Sequence, residues 1–220
     1  GLRAGDLKGI YVPNAQTLEI RSLIRLRNSI VKDTTREKNR IKSLLRFHGI
    51  EIPEQFMNSN GNWTKRFLQW LREVKLSTAY GRKALDLRIE QFDRLRGILL
   101  QETRIIRQLS RNDAFRDSLR LITSVPGIGI TTGISFLTEI DDIGRFKNAD
   151  HLASYVGLIP MCHASGEKEA VGDITIRKHA MLRCNLIEAA WIAIRKDPAM
   201  TMAYEECRKR MNAQKAIVKI

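Results

Sequence analysis

The sequence predicts an all-α fold in which a long helical region with coiled-coil character precedes a smaller helical domain that contains one short irregular or β-hairpin loop. Two long segments carry apolar residues at seven-residue spacing, and turn-forming Gly and Pro residues lie between and after these segments. The chain has 220 residues, of which 43% are hydrophobic. It can therefore form one large core or two smaller ones.

Residues 1–13 precede the first long segment and show no helical period. They contain three glycines and end at Pro13, a composition that predicts an extended lead-in. We expect this end of the chain, and the uncapped end at Ile220, to be cut ends of a longer protein.

Residues 14–111 are expected to form the coiled-coil helical region. A first long helix is predicted from Asn14 to His48, where Gly49 is placed to stop it. The stretch 32–40 is polar all round, which predicts a solvent-exposed shaft. The apolar residues at heptad-like spacing in this helix are Leu23, Ile30 and Leu44.

A second long helix is predicted from about Thr78 to Ser110, after a short aromatic-rich helix that Asn62 caps. Antiparallel pairing of the two long helices within one chain and self-pairing between two chains both fit such a pattern. The seven-spaced apolar residues of this predicted seam are Leu85, Phe92, Leu99 and Ile106.

Residues 112–220 are expected to form the second, helical domain, because Gly becomes frequent again at its start. A helix to about Ser124, a tight turn over 125–129 and a helix over 130–140 open this domain. A short helix follows, then a turn-rich stretch from Gly157 to Ile176 that predicts an irregular loop or small hairpin, and finally two more helices.

The net charge is the strongest guide to a binding partner. Lys and Arg number 38 against 24 Asp and Glu, which gives a net charge of +14 and a pI near 10.1. Such a charge favours a polyanion, and nucleic acid in particular, over acidic metabolites, and an anionic membrane surface is the rival partner. The sequence shows no long apolar run and no signal peptide, so we expect a cytoplasmic protein without a membrane partner.

The turn from Val125 to Gly129 is the first candidate site, because it resembles a helix-hairpin-helix. Its glycines permit a tight turn, and the amides that open the next helix would face a phosphate oxygen without reading the DNA sequence. The alternative is a plain turn between packed helices, and the +14 charge favours the DNA interpretation. The expected contacts are Gly127, Ile128, Gly129 and Thr131.

The first long helix is the second candidate, because basic residues crowd it beyond what solubility requires. Each Arg taken singly is also compatible with a solvated surface, so the prediction concerns the basic tract as a whole. The basic residues of this tract are Arg21, Arg25, Arg27, Lys32, Arg36, Lys38, Arg40, Lys42 and Arg46, and we single out Arg36, Lys38 and Arg40 as DNA contacts.

The loop around Ser165 is the third candidate. Its local pattern favours a plain turn serine over a nucleophile. For His163 nearby, an incidental histidine is favoured over an activating base. Asp141 and Asp142 adjoin each other without a third carboxylate at suitable spacing, and the histidines are scattered. We therefore expect no metal site in this chain. The three cysteines form no CxxC pair and are expected to be structural thiols.

Taken together, these segments resemble the IS110 family of transposases, which are also called bridge-RNA-guided recombinases. The resemblance extends in order over nearly the whole chain. The residues that carry it are Gly5-Asp6-Leu7, Tyr11-Val12-Pro13, Lys38-Asn39-Arg40-Ile41, Val125-Pro126-Gly127-Ile128-Gly129, Phe146, Tyr155-Val156-Gly157-Leu158-Ile159-Pro160, Ser165-Gly166 and Leu182-Arg183.

The resemblance implies a longer enzyme with an N-terminal RuvC-like domain whose four acidic residues bind magnesium, then a coiled-coil region and a C-terminal transposase domain. This chain would begin after that acidic cluster, so it would need no cofactor itself and be nearly inert alone. The family's catalytic serine falls on Ser165, which reverses the local interpretation of that residue. The implied partners are DNA, a guide RNA and further copies of the chain through the coiled coil.

One departure from the family's pattern precedes Leu182-Arg183. Lys178 and His179 stand where the family usually has a Gly-Asn pair, so His179 would replace an amide donor. The resemblance makes Arg177, Lys178 and Arg183 the expected phosphate contacts of this segment. The function it implies is DNA binding and strand exchange in transposition of an insertion sequence. A non-catalytic helix-hairpin-helix module and a structural dimerisation fragment are the alternatives.

Overall fold

The computed structural model describes residues 10–58, 62–165 and 168–220, and over residues 162–171 it describes only the backbone. The all-α class is confirmed. The long helices are α1 (Ala15–Phe47) and α3 (Ala79–Leu109), with the short α2 (Lys65–Glu73) between them. The remaining elements are α4 (Asp113–Thr123), α5 (Ile130–Ile140), α6 (Ala149–Val156), β1 (Pro160–Ser165), β2 (Lys168–Ile174), α7 (Ala180–Ala193), α8 (Pro198–Arg208) and α9 (Ala213–Lys219), with 3-10 turns at Glu54–Phe56 and Ile143–Arg145.

The chain forms two compact units whose division falls inside the two long helices. One unit is Arg25–Arg104, and the other combines the described residues up to Ile24 with Ile105–Ile220. The division into residues 1–13, 14–111 and 112–220 expected from the sequence stays a prediction. Residues 1–9 of the expected lead-in lie outside the described residues.

The Arg25–Arg104 unit has a core built by α1, α2 and α3. Leu85 and Phe92 of the predicted seam are buried in this core, and Leu99 is half-buried on the same helix. Glu37 of α1 contacts Arg88 of α3, whereas further along the pair Arg27 acts electrostatically on Glu102. The two helices therefore run antiparallel within one chain. The buried core residues are Ile41, Leu45, Phe56, Phe67, Leu68, Leu71, Leu85, Ile89 and Phe92.

The polar middle of α1 differs from the exposed shaft that its composition predicts. Thr34 and Glu37 are buried, with 8% and 1% of their surface exposed. They continue the inward face of Ile30 and Ile41 at three- and four-residue spacing, so helix geometry turns them toward α3. A carboxylate at this depth needs a cationic partner. Glu37 has Arg88 at 3.2 Å and Arg40 at 3.1 Å.

The second unit contains the candidate sites, and its core has three clusters. The first joins Ile24 and Ile106, at the ends of the long helices in this unit, to Leu119 of α4 and Ile134 of α5. The second cluster holds α6 and α7 together, and its buried members are Ile140, Val156 and Leu182. The third holds α7, α8 and α9 together, and its buried members are Ile194, Tyr204, Ala216 and Ile217.

The turn-rich stretch 157–176 forms a hairpin, which is the second of the two structures its composition predicts. β1 and β2 are antiparallel, Pro160 pairs with Ile174, and Ser165 pairs with Lys168 at the other end. An irregularity in register lies between Pro160 and Cys162. No helix in the described part of the chain is long and apolar enough to cross a membrane.

Candidate nucleic-acid interface

The turn between α4 and α5 contains two glycines with different surroundings. Gly127 has φ +94°, and a Cβ there would lie 2.3 Å from the carbonyl oxygen of Ala189 in α7. Gly129 has φ −89° and ψ 173°, and a Cβ there would meet nothing within 4 Å. Packing against α7 therefore explains Gly127, whereas Gly129 borders open space.

Gly129 is also the N-cap residue of α5 and supplies no side-chain hydrogen bond to the helix. The first amides of any α-helix lack helical acceptors, and the helix dipole makes this end electropositive. Side chains fill this role at other helices of the same unit, as Asn112 does for α4 and Asn148 for α6. At α5 no side chain caps the helix, Gly129 is exposed and Thr131 is half-buried.

The apolar residues of the turn border a cavity. Val125, Pro126 and Ile128 line a cavity of about 210 Å³ together with side chains of α7 and α9. Ile128, one of the predicted DNA contacts, is half-buried at this cavity. Its side chain thus helps to seat the turn on the helices behind it.

Ser165 lies at the end of β1, next to the connection to β2. Its backbone pairs with that of Lys168. The Ser165 and His163 side chains lie outside the described part of the structure, as do Gly166 and the side chain of Cys162. The structure therefore places the predicted nucleophile at the tip of a two-stranded hairpin.

Three predicted phosphate contacts lie at the base of this hairpin. Arg177 and Lys178 are exposed in the segment that leads from β2 into α7. Arg183, one turn into α7, is half-buried, and its Nη1 donates hydrogen bonds to the carbonyl oxygens of Gly157 and Thr175, both at 2.8 Å. Two of the three cations are thus open to a ligand, and the third binds backbone.

His179 occupies the N-cap position of α7. Its Nδ1 accepts a hydrogen bond from the Leu182 amide at 3.4 Å. Nε2 therefore carries the proton, and it lies 3.1 Å from Oε2 of Glu139. In this position the imidazole caps the helix as an Asn side chain does elsewhere, which gives His179 a structural role that its sequence context did not reveal.

Glu139 is fully buried in α5 and was not among the residues predicted from the sequence. Nε of Arg21 lies 3.5 Å from its carboxylate. The Arg21 guanidinium also donates to the carbonyl oxygens of Thr138 and Glu139 at 2.7 and 3.0 Å. Arg21 is only 8% exposed and serves this contact, although it belongs to the basic tract of the first helix. Glu139 is the one charged residue of α5, and this was the available signal.

A cluster of aromatic residues surrounds Arg145 near the end of α5. The guanidinium carbon lies 4.6 Å from the ring centroids of Tyr11, Phe146 and Tyr155. Asp141 accepts hydrogen bonds from the hydroxyls of Tyr11 and Thr17, and the first of these bonds raises the pKa of Tyr11.

The adjoining aspartates are engaged within the protein. Asp142 accepts from the Gly144 amide at 2.8 Å, and Asp141 has the hydroxyl partners just described. Among the described residues no group of three or more His, Cys, Asp or Glu side chains is arranged to hold a metal ion. These side chains do not fit a magnesium site.

The predicted contacts on α1 have partners within the Arg25–Arg104 unit. Arg36 pairs with Asp33 at 2.7 Å, and Arg40 pairs with Glu37. The ammonium of Lys38 lies 5.6 Å from the centroid of Trp63. Burial, followed by repulsion from nearby cations, lowers the pKa of Lys38. Arg36 and Arg40 keep more than half of their side-chain surface exposed, at 65% and 58%.

Comparison with known proteins gives a family match for part of the chain. Residues 119–205 match the family described as "Transposase IS116/IS110/IS902 family". The chain is 28% identical over 80% of its length to the transposase for insertion sequence element IS1111A of Coxiella burnetii, of which it covers 47%. It is 31% identical over 41% of its length to an insertion element IS110 protein of Streptomyces coelicolor, of which it covers 22%.

A shorter match has a higher identity. Over 21% of the chain and 14% of the relative, it is 48% identical to the pilin gene-inverting protein of Moraxella bovis. The chain spans about half the length of the curated relatives that it matches over most of its own length. No helix-hairpin-helix assignment follows from these matches.

Proposed function

We propose that this chain belongs to the IS116/IS110/IS902 family of transposases, binds DNA and takes part in strand exchange when an insertion sequence moves. The observation that carries the proposal is the family match over residues 119–205. That range includes the open α5 N-terminus, the hairpin with Ser165 and the exposed cations before α7. The activity is proposed for the whole protein, because relatives are about twice as long as this chain.

DNA binding would use the phosphate backbone. The α4–α5 turn would act as a helix-hairpin-helix, in which the amides after Gly129 bind a phosphate oxygen. Arg177 and Lys178 would add two exposed charges. In the other unit, Arg36 and Arg40 are two of the exposed cations of the α1 tract. Contacts of this kind position a protein on DNA but carry no sequence information.

Strand exchange would use Ser165 as the nucleophile. Its hydroxyl would lose a proton and attack phosphorus, so that an Oγ–P bond forms while one P–O bond to deoxyribose breaks and the released sugar hydroxyl takes a proton. Attack of a different sugar hydroxyl on the phosphoserine would reverse the step. The bond energy is conserved in the protein link, so joining needs no ATP.

The whole protein would also need magnesium and a guide RNA, and would act as an oligomer. These three proposals derive from the family. Among the described residues no group of three or more His, Cys, Asp or Glu side chains could hold a metal ion, and no step above passes through the metal. Metal supplied elsewhere in the complete enzyme would stabilise charge in the phosphoryl transfer.

The test is denaturing electrophoresis of end-labelled DNA with the full-length protein, magnesium and RNA transcribed from the same element. A duplex spanning one end of that element should give a protein-linked band. Ser165→Ala should abolish the band, while its DNA affinity stays within a few-fold of the parent, because a neutral hydroxyl contributes roughly 1 kcal/mol to a contact.

Ser154→Ala is the matched control. Ser154 is exposed on α6, so this variant should keep the band. A band that persists in Ser165→Ala would overturn the nucleophile assignment. DNA binding without any band in the parent would instead support the non-catalytic DNA-binding module.

A further inference from the structure

The hairpin that carries Ser165 has little to hold it in place by itself. β1 and β2 form a two-stranded sheet, and an isolated two-stranded hairpin is marginally stable in water. Any fixed position for its tip therefore depends on how its base is attached to the rest of the unit.

Arg183 joins the two ends of that base. Gly157 precedes β1 and Thr175 follows β2, and the Nη1 of Arg183 donates a 2.8 Å hydrogen bond to the carbonyl oxygen of each. Between these points the Thr175 amide donates to the Ile159 carbonyl at 2.9 Å. One guanidinium nitrogen thus cross-links the chain entering the hairpin to the chain leaving it.

The helix that supplies Arg183 is itself anchored at the same end. The His179 amide donates to the Val156 carbonyl at 3.1 Å, and the His179 ring reaches the buried Glu139 carboxylate. Gly157 packs directly on this segment, since a Cβ there would lie 2.6 Å from the Arg177 carbonyl oxygen. The base of the hairpin is therefore a rigid attachment to α5 and α7.

We infer that Arg183 is a positioning residue that holds the Ser165 hairpin in its reactive place, and that its main role is not to bind phosphate. The inference rests on the proposed function of Ser165. Exposed cations can rearrange to meet a phosphate, but Arg183 already uses Nη1 on two backbone carbonyls. Its removal would loosen the hairpin base and displace Ser165, and displacements near 1 Å can cost roughly 100-fold in rate.

The test compares Arg183→Gln and Arg183→Lys in the full-length protein, using the same duplex, RNA and magnesium. At saturating DNA, Arg183→Gln should slow formation of the protein-linked band by roughly 10- to 100-fold, with affinity and its salt dependence unchanged. Lysine has several N–H donors on one nitrogen, so Arg183→Lys should recover part of the rate. Arg208→Gln, which removes the same charge from an exposed position on α8, is the control.

Two results would overturn the inference. A loss of affinity with a salt slope reduced by about 0.9 and a normal rate at saturating DNA would make Arg183 a phosphate contact. If Arg183→Gln lost thermal stability as well as rate, and Arg183→Lys recovered neither, Arg183 would be a general folding residue.

Hydrogen exchange separates this inference from the proposed function. In Arg183→Gln, amides over 159–175 should exchange faster while those of α5 keep the parent rate. Unchanged exchange over 159–175 would overturn the positioning role. This measurement needs no activity, so it still decides the question if the parent protein forms no covalent link and the proposed chemistry of Ser165 fails.

Discussion

Gly127 and Gly129, two residues apart in one turn, are glycines for different reasons. Gly127 combines φ +94° with a backbone neighbour that leaves no room for a Cβ. Gly129 has an ordinary extended backbone and open space in front of it. A sequence motif treats them alike, but only Gly129 has surroundings that suit an external ligand.

This difference gives a prediction for Gly129→Val. The side chain fits the backbone conformation, so the fold should be retained, but it would project toward the amides of α5 and weaken DNA binding by roughly tenfold, equivalent to about 1.4 kcal/mol. Thermal unfolding and fluorescence anisotropy on a labelled duplex measure the two effects. Gly127→Ala is the comparison, and its main effect should be lower stability, because strain of this kind costs roughly 1–3 kcal/mol. Normal binding by folded Gly129→Val would leave the turn a structural link only.

At the scale of elements, the seven-residue periodicity of α3 can be compared with the burial of its apolar residues. Leu85, Phe92 and Ile106 are buried as their seven-residue spacing predicts, and Leu99 is half-buried. Phe92 also packs against Trp63, with ring centroids 4.9 Å apart. The same α3 exposes Leu87 and Leu100, which lie off the seam.

Phe92→Asp should therefore destabilise the Arg25–Arg104 unit by about 3 kcal/mol or more, because it removes a buried ring and buries a charge. Denaturant unfolding followed by circular dichroism measures the change. Leu87→Asp makes a similar substitution on the same helix at a residue that is 53% exposed, and it should cost far less. Equal stability of Phe92→Asp and the parent would show that the seam is misassigned.

For the whole molecule, the net charge of +14 is the property that bears most on function. Phosphate contacts release counterions, so the logarithm of the DNA affinity should fall linearly with the logarithm of salt concentration, by roughly 0.9 for each phosphate neutralised. Anisotropy titrations at several salt concentrations measure this slope.

Replacing both Arg177 and Lys178 by Gln should reduce that slope by about 1.8, or 0.9 for each lost contact. Arg208→Gln, at an exposed position on α8, should leave it unchanged. A flat salt dependence in the parent would contradict DNA binding through phosphates and favour the structural dimerisation fragment.

The amino-acid sequence by itself determined the all-α class, the extents of the long helices to within a few residues, the spacing of the α3 seam and the resemblance to a transposase family. These properties follow from short-range periodicity, turn-forming residues and motif order. The tertiary structure decided which charged side chains are engaged within the protein and which remain exposed. Arg21 meets Glu139 across 118 positions, Arg183 binds the two ends of a hairpin, and Glu37 is buried in a segment that looks wholly polar. Such pairings depend on which helix faces pack together, and no local pattern encodes that choice.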